Sequence, residues 1–277
     1  MKIPRYVVLD KKVGETPLSC LETWRKKQGR DYADIPLAYA GRLDPLASGK
    51  LLVLIGDECK VQTNYHSLDK TYELSILFGV GSDTGDVMGR LNGHPYRSTT
   101  IHQTDIRPAL KKYHGSISLP FPVFSAKTVQ GKPLHTWAVE GRLNEITIPT
   151  QTSTIYHISH LKVESKMRAT IYKDALKNIN SIPKVTDERK ALGNDFRRDD
   201  IRHDWDVFQK AGAPSDRFTI AHMRVTCSSG TYMRSLAEAI GHDLGHPALA
   251  TCIHRTHIGR FVPLPIPLFD GFWRKSF

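Results

Sequence analysis

The chain has 277 residues, 40% hydrophobic and 24% charged, which is an ordinary globular composition with length for one large domain or two modest ones. Lys and Arg number 39 against 28 Asp and Glu, a formal net charge of +11, and a surplus of that size favours a polyanionic partner: RNA, DNA or an anionic membrane surface. Cys20, Cys59, Cys227 and Cys252 form no Cys-x-x-Cys pair, which argues against a disulfide framework or a zinc site; no apolar run approaches a membrane span and the N-terminal one is too short for a signal peptide, so an intracellular, cytoplasmic protein is expected.

In chain order, Tyr6 to Leu9 predicts a short strand, followed by the basic turn Lys11-Lys12-Val13-Gly14-Glu15-Thr16-Pro17. Ser19 and Glu22 have capping-box spacing for a helix over 20–27, which Gly29 ends. Gly41-Arg42-Leu43-Asp44-Pro45 then forms a turn before the apolar run Leu51 to Ile55, a buried strand by length and composition. Pro45 biases Asp44 away from helix interior, so the turn holds a carboxylate beside a rigid core element. Taken by itself, Asp44 reads as a turn or capping residue, as many Asp-Pro residues do.

Lys70 to Gly79 partly alternates and predicts a half-buried strand, and the Gly-rich stretch Val80 to Gly89 a loop. A helix is expected over 104–114 with a Thr or Asp cap, then an extended stretch, turn and short helix from Phe121 to Gly141, and a strand over 155–164. Residues 166–216 are dense in charge (Asp187-Glu188-Arg189-Lys190, Arg197-Arg198-Asp199-Asp200) and poor in alternation, which predicts a mostly helical or partly flexible insertion. Phe218 to Cys227 reads as a strand, Ser228 to Thr231 as a turn and Tyr232 to Ile240 as a helix; a short helix over 248–254, a last strand over 258–262 and a Pro-rich tail follow.

Several familiar patterns fail on spacing. Seven residues separate Gly41 from Gly49 and Leu51 follows Lys50, so the stretch is no Walker loop. Gly79-Val80-Gly81 opens no helix, which removes a dinucleotide fingerprint. Asp83-Thr84-Gly85 has no second copy to make an aspartic-protease pair. Six residues lie between Cys227 and Arg234, one more than a cysteine-phosphatase loop has. His242 and His246 have zinc-ligand spacing, but Gly245 and Pro247 disrupt the helix such a pair needs. What remains is a set without a metal or cofactor signature: Asp44, Tyr72, Asp86, Tyr232 and Arg234. Each has a structural alternative, the tyrosines as core aromatics and Arg234 as a surface charge.

In their order, the segments carrying these residues resemble the TruB family of pseudouridine synthases. Lys11 to Ser19 is similar to the family's "KPxGxTS" opening, Gly41 to Gly49 to its "GxLDPxAxG" motif, Lys70-Thr71-Tyr72 with Gly79 to Gly89 to "KxY…G…TDTGDxxG", Phe121 to Gly141 to "PPxxSAxKxxGxxxYexAReG", Cys227 to Leu236 to "CSkGTYIRsL", and Leu244 to Phe261 to the closing "LG…A.l..L.RtxxGxF". Together they cover most of the chain outside 166–216.

The resemblance implies an α+β fold with a mixed, largely antiparallel central sheet, flanking helices and an RNA-binding cleft. It implies a cofactor-free, metal-free isomerase that turns a flipped-out uridine of RNA into pseudouridine, with the T-loop uridine of tRNA as first expectation and rRNA or another RNA as the alternative. Asp44 would be the nucleophile, Arg234 its charge partner, Tyr72 and Tyr232 the walls against the base, and Asp86 the organiser of its loop. Tyr39 stands where bacterial tRNA-modifying members usually carry a His, five residues before the catalytic Asp, and His135 stands where a Tyr is common. Sixteen residues follow Phe261, so no C-terminal PUA domain is expected, and the 166–216 insertion is expected to take over part of the RNA grip. The expected partner is the T arm of tRNA, with no membrane and a monomeric enzyme; a non-catalytic RNA-binding or RNA-folding protein is the alternative from another class.

Overall fold

The computed structural model describes residues 3–183, 197–266 and 269–277. In chain order its strands are β1 Tyr6–Lys11, β2 Leu37–Ala40, β3 Ser48–Ile55, β4 Asp69–Phe78, β5 Gly81–Ser82, β6 Leu91–Asn92, β7 Gly115–Pro120, β8 Thr128–Val129, β9 Lys132–Pro133, β10 Thr150–Met167, β11 Arg217–Cys227, β12 Ala248–Ile266 and β13 Phe269–Ser276. Its α-helices are α1 Pro17–Gln28, α2 Gln103–Lys111, α3 Leu134–Val139, α4 Arg168–Ser181, α5 Arg198–Lys210 and α6 Met233–Asp243.

One nine-stranded sheet runs β1-β3-β12-β4-β11-β10-β7, with β2 beside β3 and β13 beside β12. Every pairing in it is antiparallel except β3 with β12, which meet parallel at Ser48–His254 and Gly49–Arg255. This is the expected α+β architecture.

Alternation along β4 explains why the sheet is covered on both sides. Leu74, Ile76 and Phe78 point to one face, where Ile106 and Leu110 of α2 and Leu236 and Ile240 of α6 pack. Leu77 points to the other, joined by Phe218, Ile220 and Leu249 under α4 and α5. The charged stretch 166–216 is therefore no surface appendage. Ile171, Ala175 and Ile179 on α4 and Ile201, Trp205 and Phe208 on α5 recur at helical spacing and supply six of the fourteen buried residues of the second core. The predicted helical character holds there; Lys173, Asp174, Lys177, Asp199, Asp200 and Lys210 face outward, while Arg168 and Arg198 are buried. Asp187-Glu188-Arg189-Lys190 lies outside the described residues.

Three local expectations are corrected. The first helix starts at Pro17 behind a Thr16 cap, with Thr16 and Ser19 exchanging capping-box bonds, so Ser19 and Glu22 are not the box. In α2 the cap position is His102, whose N–H donates to Asp105 at 2.9 Å. The stretch 248–266, expected to be a short helix and a separate strand, is the single strand β12. Irregularities between Ala250 and Cys252 and between Arg255 and His257 break its alternation, which hid the strand period from the sequence. The Pro-rich tail turns back as β13, pairing Gly259 with Ser276.

Candidate active site

Asp44 sits in the link between β2 and β3, and the fold fastens that link on all sides. The Ala47 N–H donates to the Asp44 carbonyl at 3.0 Å and closes the turn, while the Gly14 N–H donates to the Pro45 carbonyl at 2.9 Å and ties it to the basic turn after β1. Leu43, Leu46 and Ala47 are buried and anchor the link in the core. Asp44 itself is left partly exposed, with 44% of its side chain open.

Arg234 faces it from the first turn of α6, with 6% of its side chain exposed. Its Nε lies 2.9 Å from Asp44 Oδ2 and 3.8 Å from Asp86 Oδ2. The Nε–H is not aligned on either oxygen, so these contacts are ionic rather than hydrogen-bonded. Nη1 donates to the Thr84 carbonyl at 2.8 Å, which fixes the guanidinium between the two carboxylates. A cation at a helix N-terminus adds to the positive end of the helix dipole. Asp44 and Asp86 balance that positive pole.

Asp86 is buried in the loop that links β5 to β6. Its Oδ1 accepts from Thr84 Oγ1 at 2.8 Å and from the Met88 N–H at 2.9 Å, and the Ser82 hydroxyl donates to its carbonyl at 2.6 Å. Burial pushes its carboxyl above the usual carboxylate range, against the attraction of Arg234. The same loop leans on α5. Arg90 pairs with both oxygens of Asp204 at 2.6 and 3.1 Å, Arg197 pairs with both oxygens of Asp83 at 2.5 and 3.3 Å, and Trp205 Nε1–H donates to the Val87 carbonyl at 3.2 Å.

Tyr72 points from β4 and is buried; burial raises its phenol, opposed by the charge of Arg255. Tyr232 caps α6 and meets Phe121 edge-on at 5.4 Å between ring centroids; burial raises its phenol as well, with the Asp44 charge second. Asp44, Tyr72, Asp86, Tyr232 and Arg234 line one cavity of about 1070 Å³. That volume exceeds the ~300–1,000 Å³ of common small-ligand pockets, so the opening holds more than a free base. Tyr39 is the exception among the predicted residues. It lies half-buried on β2, packed with Leu9, Leu21 and Val53 under α1, and does not line the cavity.

Lys11, Lys70 and Arg255 are three of the buried cations that had no assigned role in the sequence reading. Lys11 donates from Nζ to the carbonyls of Glu15 at 2.7 Å, Lys12 at 3.0 Å and Pro45 at 3.5 Å, and burial lowers its pKa from the ordinary 10.5 to about 8. Lys70, on the cavity wall, donates to the Leu68 carbonyl and to Ser229 Oγ; burial, with the nearby Arg255 charge, lowers it to about 8. Arg255 is the third. All three fall inside motif segments, but only their burial in the fold marks them as structural. The cavity is also closed on one side by Ile182, Pro183, Arg198 and Ile201 from the ends of α4 and α5. Charge-rich composition gave no signal for this wall.

Residues 35–177 match the family model described as TruB family pseudouridylate synthase (N terminal domain). The chain is 28% identical over 255 residues to tRNA pseudouridine synthase B of Caldicellulosiruptor saccharolyticus, covering 92% of this chain and 67% of that protein. It is 30% identical over 244 residues to tRNA pseudouridine synthase 4 of Saccharomyces cerevisiae, covering 79% of this chain and 60% of that protein. It is 28% identical over 256 residues to tRNA pseudouridine synthase B of Bordetella pertussis, covering 92% of this chain and 81% of that protein. Among solved structures, a chain of a Cbf5-Nop10-Gar1 complex superposes with a TM-score of 0.53 at 18% identity, over 92% of this chain and 48% of that one, which speaks to the fold.

Proposed function

Because the chain belongs to the TruB family of pseudouridylate synthases, we propose that it isomerises a uridine of RNA to pseudouridine, with Asp44 as the catalytic carboxylate and no cofactor. The observation that carries this reading is the Arg234–Asp44 ion pair at 2.9 Å on the wall of a large cavity. A non-catalytic RNA binder has no use for a carboxylate facing a polyanion.

The reaction moves one bond. The C1′–N1 bond of the uridine breaks, the uracil turns in place, C1′ bonds to C5, and the C5 proton is lost while N1 gains one. A carboxylate beside the ribose acts either as nucleophile at C1′ or as a fixed negative charge against the positive charge that grows there. Asp44 takes that position, oriented by Arg234. Tyr72 and Tyr232 provide aromatic surface for the uracil, and Asp86 holds the loop that supports Arg234. The base must leave its stack to enter, at a cost of a few kcal/mol. The surplus of cations supplies backbone affinity that offsets it.

The names of the bacterial and yeast relatives support tRNA as substrate, and the reading takes the T-loop uridine as the target, the enzyme as a cytoplasmic monomer and the α4–α5 pair as part of the RNA grip. The test is pseudouridine formation on full tRNA, an isolated T-arm hairpin and an rRNA fragment, with wild type and Asp44→Ala. Product on the tRNA and hairpin with wild type alone is expected. Product from the Asp44→Ala variant sinks the catalytic assignment, and wild-type product on rRNA alone replaces the substrate.

A further inference from the structure

Arg255 lies in the middle of β12 with 1% of its surface exposed. Its neighbours in register are Gly49 on β3 and Tyr72 on β4, so it sits where the strand after the Asp44 turn meets the strand of Tyr72. Gly49 is what lets the strands meet so closely: a Cβ there would stand 2.3 Å from the Arg255 carbonyl oxygen.

The guanidinium spends its donors on backbone. Nε donates to the Lys50 carbonyl at 2.7 Å, Nη2 to the Gly41 carbonyl at 3.2 Å and Nη1 to the Arg42 carbonyl at 3.4 Å. Gly41 and Arg42 precede Asp44, and Lys50 follows it. One rigid, planar fork therefore joins the entry and the exit of the segment that carries the carboxylate. The charge of the same guanidinium opposes the rise that burial gives the Tyr72 phenol. Among the described residues Arg255 has no carboxylate within ion-pair distance, and it repels Lys11 and Lys70. A charge buried on carbonyls alone is expensive to keep. A lysine would keep the charge but replace the planar fork by a single point of donation.

We propose that Arg255 is a positioning residue of the isomerase: from the cavity wall it fixes the Asp44 turn in register with Tyr72 through the backbone carbonyls of Gly41, Arg42 and Lys50. This rests on the functional reading above and adds to it the element that holds its two reacting sides together. Because a misplacement near 1 Å can cost about 10²-fold in rate, the cost should appear in turnover and not in RNA affinity, which is spread over the basic surface.

The experiment compares wild type, Arg255→Lys and Arg255→Met for single-turnover rate on tRNA, tRNA affinity, melting and backbone hydrogen exchange without RNA. Methionine keeps the length of the side chain and removes the repulsion with Lys11 and Lys70, so it remains informative if lysine folds poorly. The expected result is folded protein, tRNA affinity within about threefold of wild type, a rate down by about 10²-fold in both variants, and faster exchange confined to the Gly41–Ala47 segment. A lysine variant with wild-type rate overturns the proposal, because charge alone would then suffice. So does a rate loss matched by an equal loss of affinity, or unchanged exchange across the turn. A wild type that makes no pseudouridine on any RNA refutes the functional reading instead; the exchange measurement still reads the clamp by itself.

Discussion

The indole N–H of Trp205 donates to the carbonyl of Val87 at 3.2 Å. One residue is at the heart of the inserted helical pair and the other follows Asp86 in the loop that supports Arg234. The insertion and the site are thus mechanically joined, and Trp205 is fully buried in the second core. Replacing Trp205 by Ala should cost about 3–5 kcal/mol of stability. Chemical denaturation measures it. A loss below about 1 kcal/mol would mean that α5 is only laid on the surface. For the same reason, deleting 166–216 is the wrong test of an RNA grip, since it strips one face of the sheet. Arg198→Ala is the usable variant, with reduced tRNA affinity and a smaller salt slope as its expected outcome.

Asp86 should prove replaceable by Asn. Its carboxyl is raised by burial, so the folded state prefers the neutral form. The sign follows: as pH rises from the unfolded carboxylate value through the raised folded one, the unfolded state gives up its proton first and stability falls. Above the unfolded carboxylate value the raised pKa therefore counts against the folded state. Asn keeps an oxygen for Thr84 and Met88, and Arg234 keeps Asp44 at 2.9 Å. Asp86→Asn is expected to melt at or above wild type at pH 7, with the difference shrinking in acid, and to keep activity within about tenfold, since its role is to order a loop. A clear drop in melting temperature at pH 7 contradicts this.

Lys11 predicts the opposite slope at high pH. Its folded pKa is lowered from 10.5 to about 8. Below about 8 both states hold the proton and the burial cost is fully present; above it the folded state sheds the proton while the unfolded state keeps it up to 10.5. Wild-type stability relative to Lys11→Met should therefore rise between pH 8 and 10.5, by at most about 1.4 kcal/mol per pH unit. Urea midpoints of both proteins across that range test it. Parallel curves would show that Lys11 titrates normally.

Gly49→Ala should fail for two independent reasons. The φ of Gly49 is +97°, in the region that favours glycine, and the added Cβ would stand 2.3 Å from backbone. Left-handed strain of about 1–2 kcal/mol and overpacking of about 1–3 kcal/mol add up to a severe loss. Poor soluble yield, or a melting temperature many degrees down, is the expected outcome. A variant with wild-type melting and activity would disprove the close approach of β3 to β12.

The site was legible where chemistry sits on a turn or a helix start. Asp44 before a proline, Arg234 two residues into a helix and Asp86 in a glycine-rich loop are marked by local sequence, and ordered motifs supplied the pairing that no single stretch shows. The fold class followed from the family resemblance that those ordered motifs carry. Two things were hidden. Strand β12 carries irregularities that shift its side chains between faces, so its apolar residues mimic a helix around 248–254. The second core was masked because charges crowd the outward positions of α4 and α5, and only the spacing of Ile171, Ala175 and Ile179 with Ile201, Trp205 and Phe208 betrays it. Tyr39 shows the limit of position along the chain: five residues from Asp44, it turns to the other side of β2 and joins the packing under α1.

The place of β12 between β3 and β4 has a consequence for biogenesis. Strands β1 to β3 carry the carboxylate and β4 carries the tyrosine, yet the two halves are joined in the sheet only through a strand near residue 255. On the ribosome, the nascent chain can assemble each half as it emerges, but it closes the sheet only after nearly all of it has been made. Such non-local pairing is slow to form. It also delays assembly of the catalytic centre to the last stage of synthesis, so a truncated product holds every proposed catalytic residue and still lacks the strand that aligns them.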